Sequence, residues 1–285
     1  MCRFLVYKGR EMLMSDLLTN CDQSLIYQSH HAREREEPLN GDGFGVGWYQ
    51  PQIDPIPCVF TSMSPAWSNR NLHRLADKIR SGCFFAHVRA ATESLFVSEA
   101  NCHPFQHEEF LWMHNGGIAA FQKIKRTLRG TLSDESYAMI QGSTDSEHAF
   151  ALFLDAIAPK MATYTAGDLK DAMIETIRRL ERVAAEANVE EPSRYNFAVT
   201  DGHSIVATRY VTKPSITPHT LYVAQGERFD NVEGRYRMRP AERHPNAVII
   251  ASEPLTENRS DWTPVPENHV VLVTPEMRVR MSAIN

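Results

Sequence analysis

A helical middle between two strand-rich ends constrains the fold of this chain more than any other feature. From Asp145 the apolar positions are Ala149, Leu152, Phe153, Ala156 and Ile157. From Asp168 they are Leu169, Ala172, Met173, Ile177, Leu180, Val183 and Ala184. Both sets follow the i, i+3, i+4, i+7 spacing that gives a helix one apolar face. Asp168 is expected to cap the second helix. The first half instead holds short strand-like runs at residues 3–8, 44–49, 83–90 and 110–114. Turn chemistry separates them at Asn40-Gly41-Asp42-Gly43, at residues 55–57 and at Asn115-Gly116-Gly117. A single helix fits among them over residues 69–80, where Leu72, Leu75, Ala76 and Ile79 share a face. After the central helices, residues 195–200 and 205–210 flank Asp201-Gly202 as a hairpin, and further strands fit at 221–224, 247–251 and 270–273. Residues 226–245 are charged and Arg-rich, which predicts a long surface loop. With no alternating βαβ series, the pattern predicts an α+β fold of helices packed on largely antiparallel sheets. No linker interrupts it, so residues 2–285 are expected to form one domain.

Composition excludes several function classes. Hydrophobic residues make up 42% of the 285 and charged residues 23%, enough apolar material for a sizeable core. The formal net charge of −5 provides no electrostatic footprint for nucleic acid or for an anionic membrane. No run is long and apolar enough for a membrane span, and the N-terminus lacks the apolar stretch of a signal peptide. The cytoplasm is the expected compartment. The five cysteines are odd in number, irregularly spaced and without C-x-x-C, which argues against a disulfide framework, a zinc site or any metal cofactor.

Cys2 stands apart from the other four because of its position. Methionine is readily removed ahead of a small residue, and Cys2 would then carry the free α-amino group. That amine, with a pKa of about 7.7–8.0, suits a general base for the thiol. Cys2 also heads an apparent strand, where a core position suits it equally. Asn115-Gly116, at the end of a strand-like run, offers a side-chain amide and a backbone N–H of the kind that stabilise a tetrahedral oxyanion, although Asn-Gly is also ordinary turn chemistry. Arg89, in an otherwise apolar run, requires a carboxylate, either from the protein or from a ligand that it could grip bidentately. Thr92 adds a hydroxyl nearby. Asp145 opens a helix, where it serves as a cap or as the partner of a substrate ammonium group. His103 lies in a loop and could touch a ligand, although a surface histidine is the commoner case. The glycines of Asn40-Gly41-Asp42-Gly43-Phe44-Gly45-Val46-Gly47 precede or lie within a strand with no helix after them. They are therefore read as marking close backbone approach rather than a dinucleotide site.

Taken together, these residues form a consistent amino-acid-amide site. They occur as Cys2-Arg3, His87-Val88-Arg89-Ala90-Ala91-Thr92, His103-Pro104, His114-Asn115-Gly116 and Thr144-Asp145-Ser146-Glu147. In order and spacing this set resembles the class II glutamine amidotransferases, which are N-terminal nucleophile (Ntn) hydrolases. The runs Asn40-Gly41-Asp42-Gly43 and Ala251-Ser252-Glu253-Pro254-Leu255-Thr256 look like those of the stand-alone YafJ/EgtC-like group, which includes the fungal subunit of a glutathione-degrading complex. The resemblance implies a four-layer αββα sandwich. It implies Cys2 as nucleophile, Asn115 and Gly116 as the oxyanion hole, Arg89 and Thr92 on the substrate carboxylate and Asp145 on its amino group. It also implies a small γ-glutamyl amide or peptide as substrate and no cofactor. No acceptor domain is expected in the chain. Three other readings stay open: a glutaminase subunit that passes ammonia to a separate synthetase partner, an acylase of the bile-salt or penicillin type, and a non-catalytic interaction subunit on the same fold.

Overall fold

Two antiparallel sheets lie face to face between outer layers that include the helices, and side-chain alternation along the strands shows why. The computed structural model describes residues 2–34, 39–90 and 98–285. In chain order its elements begin with β1 (Arg3–Leu13), α1 (Leu25–Gln28), β2 (Phe44–Gln50), β3 (Asp54–Ser62), α2 (Arg70–Ala76), β4 (Arg80–Val88), β5 (Phe105–His107) and β6 (Phe110–Gly117). The helical middle follows: α3 (Phe121–Arg129), α4 (Asp134–Ala138), α5 (Asp145–Ile157) and α6 (Ala166–Glu186). Then come β7 (Arg194–Thr200), β8 (Ile205–Arg209), β9 (Tyr222–Gly226), β10 (Arg228–Val232), β11 (Arg235–Arg239), β12 (Ala247–Ala251), β13 (Thr263–Pro264), β14 (His269–Val273) and β15 (Val279–Ala283). The first sheet runs β13-β9-β12-β1-β4-β2-β3 and the second β15-β14-β8-β7-β6-β5, with β10-β11 as a separate hairpin.

Successive side chains of a strand point to opposite faces. On β1, Phe4 and Val6 face the second sheet, in a cluster with Phe85 and Ile250 of their own sheet and Leu111, Met113 and Ala198 of the other. Leu5 and Tyr7 face the other way, into a cluster with Leu17, Leu25, Ile26, Leu72, Phe229 and Met238. On β6, Leu111 and Met113 face the first sheet. Phe110 and Trp112 face α5 and α6 through Phe150, Phe153, Leu169, Met173 and Leu180. Three apolar interfaces therefore separate four layers, as the α+β sandwich expectation requires. Strands covered on both faces have no polar side, which is why β12 reads Ala-Val-Ile-Ile-Ala without interruption and is buried throughout.

Several local expectations change. Thr165, not Asp168, caps α6. Its side chain accepts from the Asp168 N–H while the Asp168 carboxylate accepts from the Thr165 N–H, so Asp168 is the third helical residue of a capping box. The helix expected over 69–80 ends at Ala76, and Arg80 already opens β4. Residues 55–57 do not turn; they lie in β3, an edge strand that tolerates proline, and Cys58 there is exposed. The supposed loop 226–245 contains the β10–β11 hairpin, whose Phe229 and Met238 are buried in the outer core of the first sheet. Its arginines are on the solvent side, so charge density concealed a half-buried ribbon.

The glycines of β2 do mark close approach. A Cβ on Gly45 would lie 2.2 Å from the His103 carbonyl oxygen, and one on Gly47 would lie 2.9 Å from Pro104 and from Leu111. The His103-Pro104 crossing thus needs bare backbone beneath it. Gly45→Ala is expected to destabilise the fold by about 1–3 kcal/mol through overpacking. Gly117→Ala, whose Cβ would meet its nearest neighbour at 3.9 Å, should stay within about 0.5 kcal/mol of wild type. Urea unfolding of the two variants checks the contrast, and equal losses would contradict it.

Candidate active site

Where β1 begins and β4, β12 and β6 end, the same alternation gathers the polar residues. Arg3 pairs with Val88 across β1 and β4, so one step further Cys2 lies opposite Arg89. Cys2 shares the face of Phe4 and Val6, and Arg89 shares that of Phe85 and His87, so both belong to the face between the sheets. The Cys2 thiol lies 3.6 Å from the Ala90 carbonyl and the residue is half-buried. From the second sheet, Asn115 follows Leu111 and Met113 on the inward face and is buried. Its Nδ2 donates to Ser252 Oγ at 3.4 Å, and its Oδ1 has no hydrogen-bond partner among the described residues.

The register also orients the Gly116 amide. Gly116 pairs with Tyr195, but the Tyr195 N–H donates to Tyr210 on the far side of β7. In an antiparallel ladder this makes Gly116–Tyr195 a non-hydrogen-bonded pair, so the Gly116 N–H points away from β7. β5 pairs only with residues 110–112, so it does not reach Gly116. The His114 carbonyl projects to the same free side and accepts the His87 Nε2–H at 3.2 Å. Asn115-Gly116-Gly117 is therefore the end of a strand, not a turn. Gly116 must be glycine, since a Cβ there would lie 2.0 Å from the Arg194 carbonyl oxygen.

Arg89 is buried, and its Nη1 donates to the Asp42 carbonyl at 3.3 Å. No carboxylate among the described residues forms an ion pair with it. Asp145 is half-buried at the start of α5, but Thr144 is the cap of that helix. Asp145 Oδ2 instead accepts the Ile118 N–H at 2.8 Å, directly after β6, and Oδ1 accepts the Ser146 N–H at 2.8 Å. Among the described residues no cation pairs with it. Thr92 lies outside the described residues.

His103 is not a surface histidine. It is buried, its ring is stacked on His87 at 4.2 Å, and neither ring nitrogen has a partner among the described residues. His114 faces the helical layer; its Nε2–H donates to the Arg194 carbonyl at 3.0 Å, so Ser146 Oγ, 2.9 Å away, donates to Nδ1. Burial holds all three imidazoles below the ordinary histidine range: His87 at about 3, His103 well below normal, and His114 lowered although Asp145 opposes the shift. They are neutral at physiological pH.

The sequence presents Arg3, Ser252 and Glu253 as motif residues without a role; the structure pairs Arg3 with Glu253. Arg3 is buried, donates from Nη1 to the Cys2 carbonyl at 3.1 Å and pairs through Nε and Nη2 with Glu253 Oε1 at 2.8 and 2.5 Å. The Glu253 carboxylate also accepts the N–H groups of Arg33 and Glu34, at 3.0 and 3.4 Å. The available signal was a Ser-Glu pair directly after a fully apolar strand.

The buried histidines set a pH dependence. The unfolded chain protonates His87 near 6.5 and the folded chain only near 3. Below about pH 6.5 the unfolded state therefore binds more protons, and stability falls as pH falls. Between pH 7.5 and 5 His87 alone should remove about 2 kcal/mol. His148, lowered to about 4 by burial, adds in the same direction. Urea midpoints that do not drop over this range would contradict the assignment.

Comparison with known proteins follows the same lines. The family model described as "Glutamine amidotransferases class-II" matches residues 11–281. The chain is 43% identical to "Probable glutamine amidotransferase DUG3" of Saccharomyces cerevisiae, covering 96% of this chain and 82% of that protein. It is 27% identical to the gamma-glutamyl-hercynylcysteine sulfoxide hydrolase of Mycobacterium tuberculosis, covering 96% and 93%. Among solved structures, a glutamine aminotransferase class-II domain protein from Silicibacter pomeroyi has the same fold, with a TM-score of 0.68 over 99% of both chains at 23% identity. The allosteric regulatory enzyme of purine biosynthesis also has it, with a TM-score of 0.64 at 15% identity over 49% of its own length and 100% of this chain.

Proposed function

We propose that this chain, which belongs to the class-II glutamine amidotransferases, cleaves γ-glutamyl amide bonds through a γ-glutamyl thioester on Cys2. The family match begins at residue 11, so the nucleophile is assigned from its place in the fold. What carries the reading is one shared face. Cys2 precedes Arg3 and Arg89 follows Val88, the paired end residues of adjacent strands, and Asn115 enters the same intersheet space from the other sheet.

In this mechanism removal of Met1 frees the Cys2 α-amino group, which takes the thiol proton. The thiolate attacks the γ-carbonyl carbon, and the oxygen becomes negative. The Asn115 Nδ2–H and the Gly116 N–H donate to that oxygen, each contributing about 3–4 kcal/mol to the transition state. The C–N bond breaks as the α-ammonium returns its proton to the departing amine. Water then attacks the thioester, again giving up a proton to the amine, and releases glutamate and the free thiol. Arg89 binds the substrate carboxylate, aided by Thr92, and Asp145 binds the ammonium group. Each of these two charges lacks an opposite charge among the described residues, which suits a zwitterionic substrate and disfavours an acylase with an apolar pocket. His103 is assigned to packing behind His87. Burial makes these histidines weak bases, which leaves the general base to the α-amine.

Cys2→Ala is expected to lower glutamate release from glutamine and other γ-glutamyl amides by about 10⁴-fold or more. Intact mass of the active enzyme should correspond to a chain beginning at Cys2. Full turnover in Cys2→Ala, or Met1 retained in active enzyme, would contradict the mechanism. Arg89→Ala and Asp145→Asn should each raise KM by about 30-fold or more, the loss of one partner from a desolvated charge pair. Unchanged KM values in steady-state assays would remove both residues from the substrate site.

A further inference from the structure

The Ser252-Glu253 pair after β12 has no role in the chemistry above, yet it touches both halves of the site. Alternation places Ser252 on the face of Val248 and Ile250, between the sheets, and Glu253 on the opposite face with Arg3. The Ser252 backbone is held from two sides. Its N–H donates to the Phe4 carbonyl at 3.1 Å, and its carbonyl accepts the Thr220 hydroxyl at 2.9 Å. Its Oγ accepts the Phe4 N–H at 3.1 Å and the Asn115 Nδ2–H at 3.4 Å. Those two bonds use both acceptor positions of the hydroxyl oxygen.

We propose that Ser252 is a positioning residue that aims the Asn115 amide at the oxyanion. The proposal rests on the reading of Asn115 as an oxyanion donor. A side-chain amide is nearly symmetric in shape but opposite in polarity at its two ends. Turned one way, Asn115 offers an N–H to a developing negative charge; turned the other, it offers Oδ1 and repels that charge. Ser252 Oγ accepts the Phe4 N–H with one lone pair and the Asn115 Nδ2–H with the other, a pairing that seats Nδ2 rather than Oδ1 against the serine. One Nδ2 hydrogen goes to Ser252 and the second stays available. The same oxygen is anchored two residues from Cys2, so it also sets the distance between the nucleophile's strand and a donor from the opposite sheet. Without this acceptor the amide is free to flip, and a donor misaligned by about 1 Å loses on the order of 100-fold in rate.

A double-mutant cycle with glutamine as substrate separates this role from a purely structural one. Ser252→Ala is expected to lower kcat by about 10- to 100-fold with KM changed less than about twofold, and Ser252→Thr, which keeps the hydroxyl, to restore most of it. Asn115→Ala alone should lower kcat by about 100- to 1,000-fold, and adding Ser252→Ala should cost nothing more. Unchanged kcat in Ser252→Ala, or an equal further loss in the Asn115→Ala background, would overturn the proposal. If thermal melts show Ser252→Ala unfolded at the assay temperature, Ser252→Cys, a weaker acceptor of similar size, takes its place in the cycle, and the same two results would overturn the proposal. Full activity in Asn115→Ala would remove the oxyanion donor and the proposal with it. Full activity in Cys2→Ala would instead strike the thioester mechanism, a separate failure.

Discussion

Every placement in this molecule depends on the two-residue alternation of strands that are covered on both faces. A slip of one residue would turn Phe4 and Val6 of β1, or Leu111 and Met113 of β6, out of the intersheet core together, so hydrophobic burial holds the register firmly. The polar residues at the strand ends inherit that precision. Cys2, His87, Arg89, Asn115 and Ser252 are inward because their parity matches that of the apolar residues before or after them. The core positions the candidate site without any contact devised for it.

Electrostatics at the strand ends refines what the sheets position. The Arg3–Glu253 pair is buried, and burial lowers the Arg3 pKa while the neighbouring carboxylate opposes the shift. Desolvating two such charges offsets much of their attraction, so the pair contributes little net stability; removing one partner, however, leaves a buried charge uncompensated. Its evident effect is on placement. Arg3 holds the Cys2 carbonyl, and Glu253 ties Arg3 to the backbone of Arg33 and Glu34. Arg89 and Asp145 differ from this pair in lacking opposite charges among the described residues. The site thus contains one pair that is satisfied internally and two charges suited to an external partner.

The amide cluster at the end of β6 shows how strand geometry creates donors. Gly116 sits where β5 has ended and where β7 bonds only to alternate residues. Its N–H points away from β7 because the ladder has no use for it. Asn115, one residue earlier, presents its side chain to the space between the sheets because its parity is inward. Adjacent residues therefore supply two donors by two different rules of sheet geometry.

Periodicity alone identified the helical middle, most strands and the α+β class, because a helix face and a buried strand impose local spacings that any reader of the chain can count. The residues proposed to carry the chemistry could be named from the sequence too: a cysteine at position 2, an arginine in an apolar run, an Asn-Gly at a strand end. Their identities depend on residue type, which is local information. Where local chemistry has two outcomes, tertiary contacts made the choice. Asn115-Gly116 could have turned but extends β6, and Asp145 could have capped α5 but binds the Ile118 N–H. His103 could have been exposed but is buried against His87, and the Arg-rich 226–245 segment folds its alternate apolar residues into a hairpin. Arg3, Ser252 and Glu253 stood in the sequence only as members of motifs, and their roles were hidden for the same cause. Their partners lie about 250, 137 and 220 residues away, and only the packing of two sheets brings such distant side chains together.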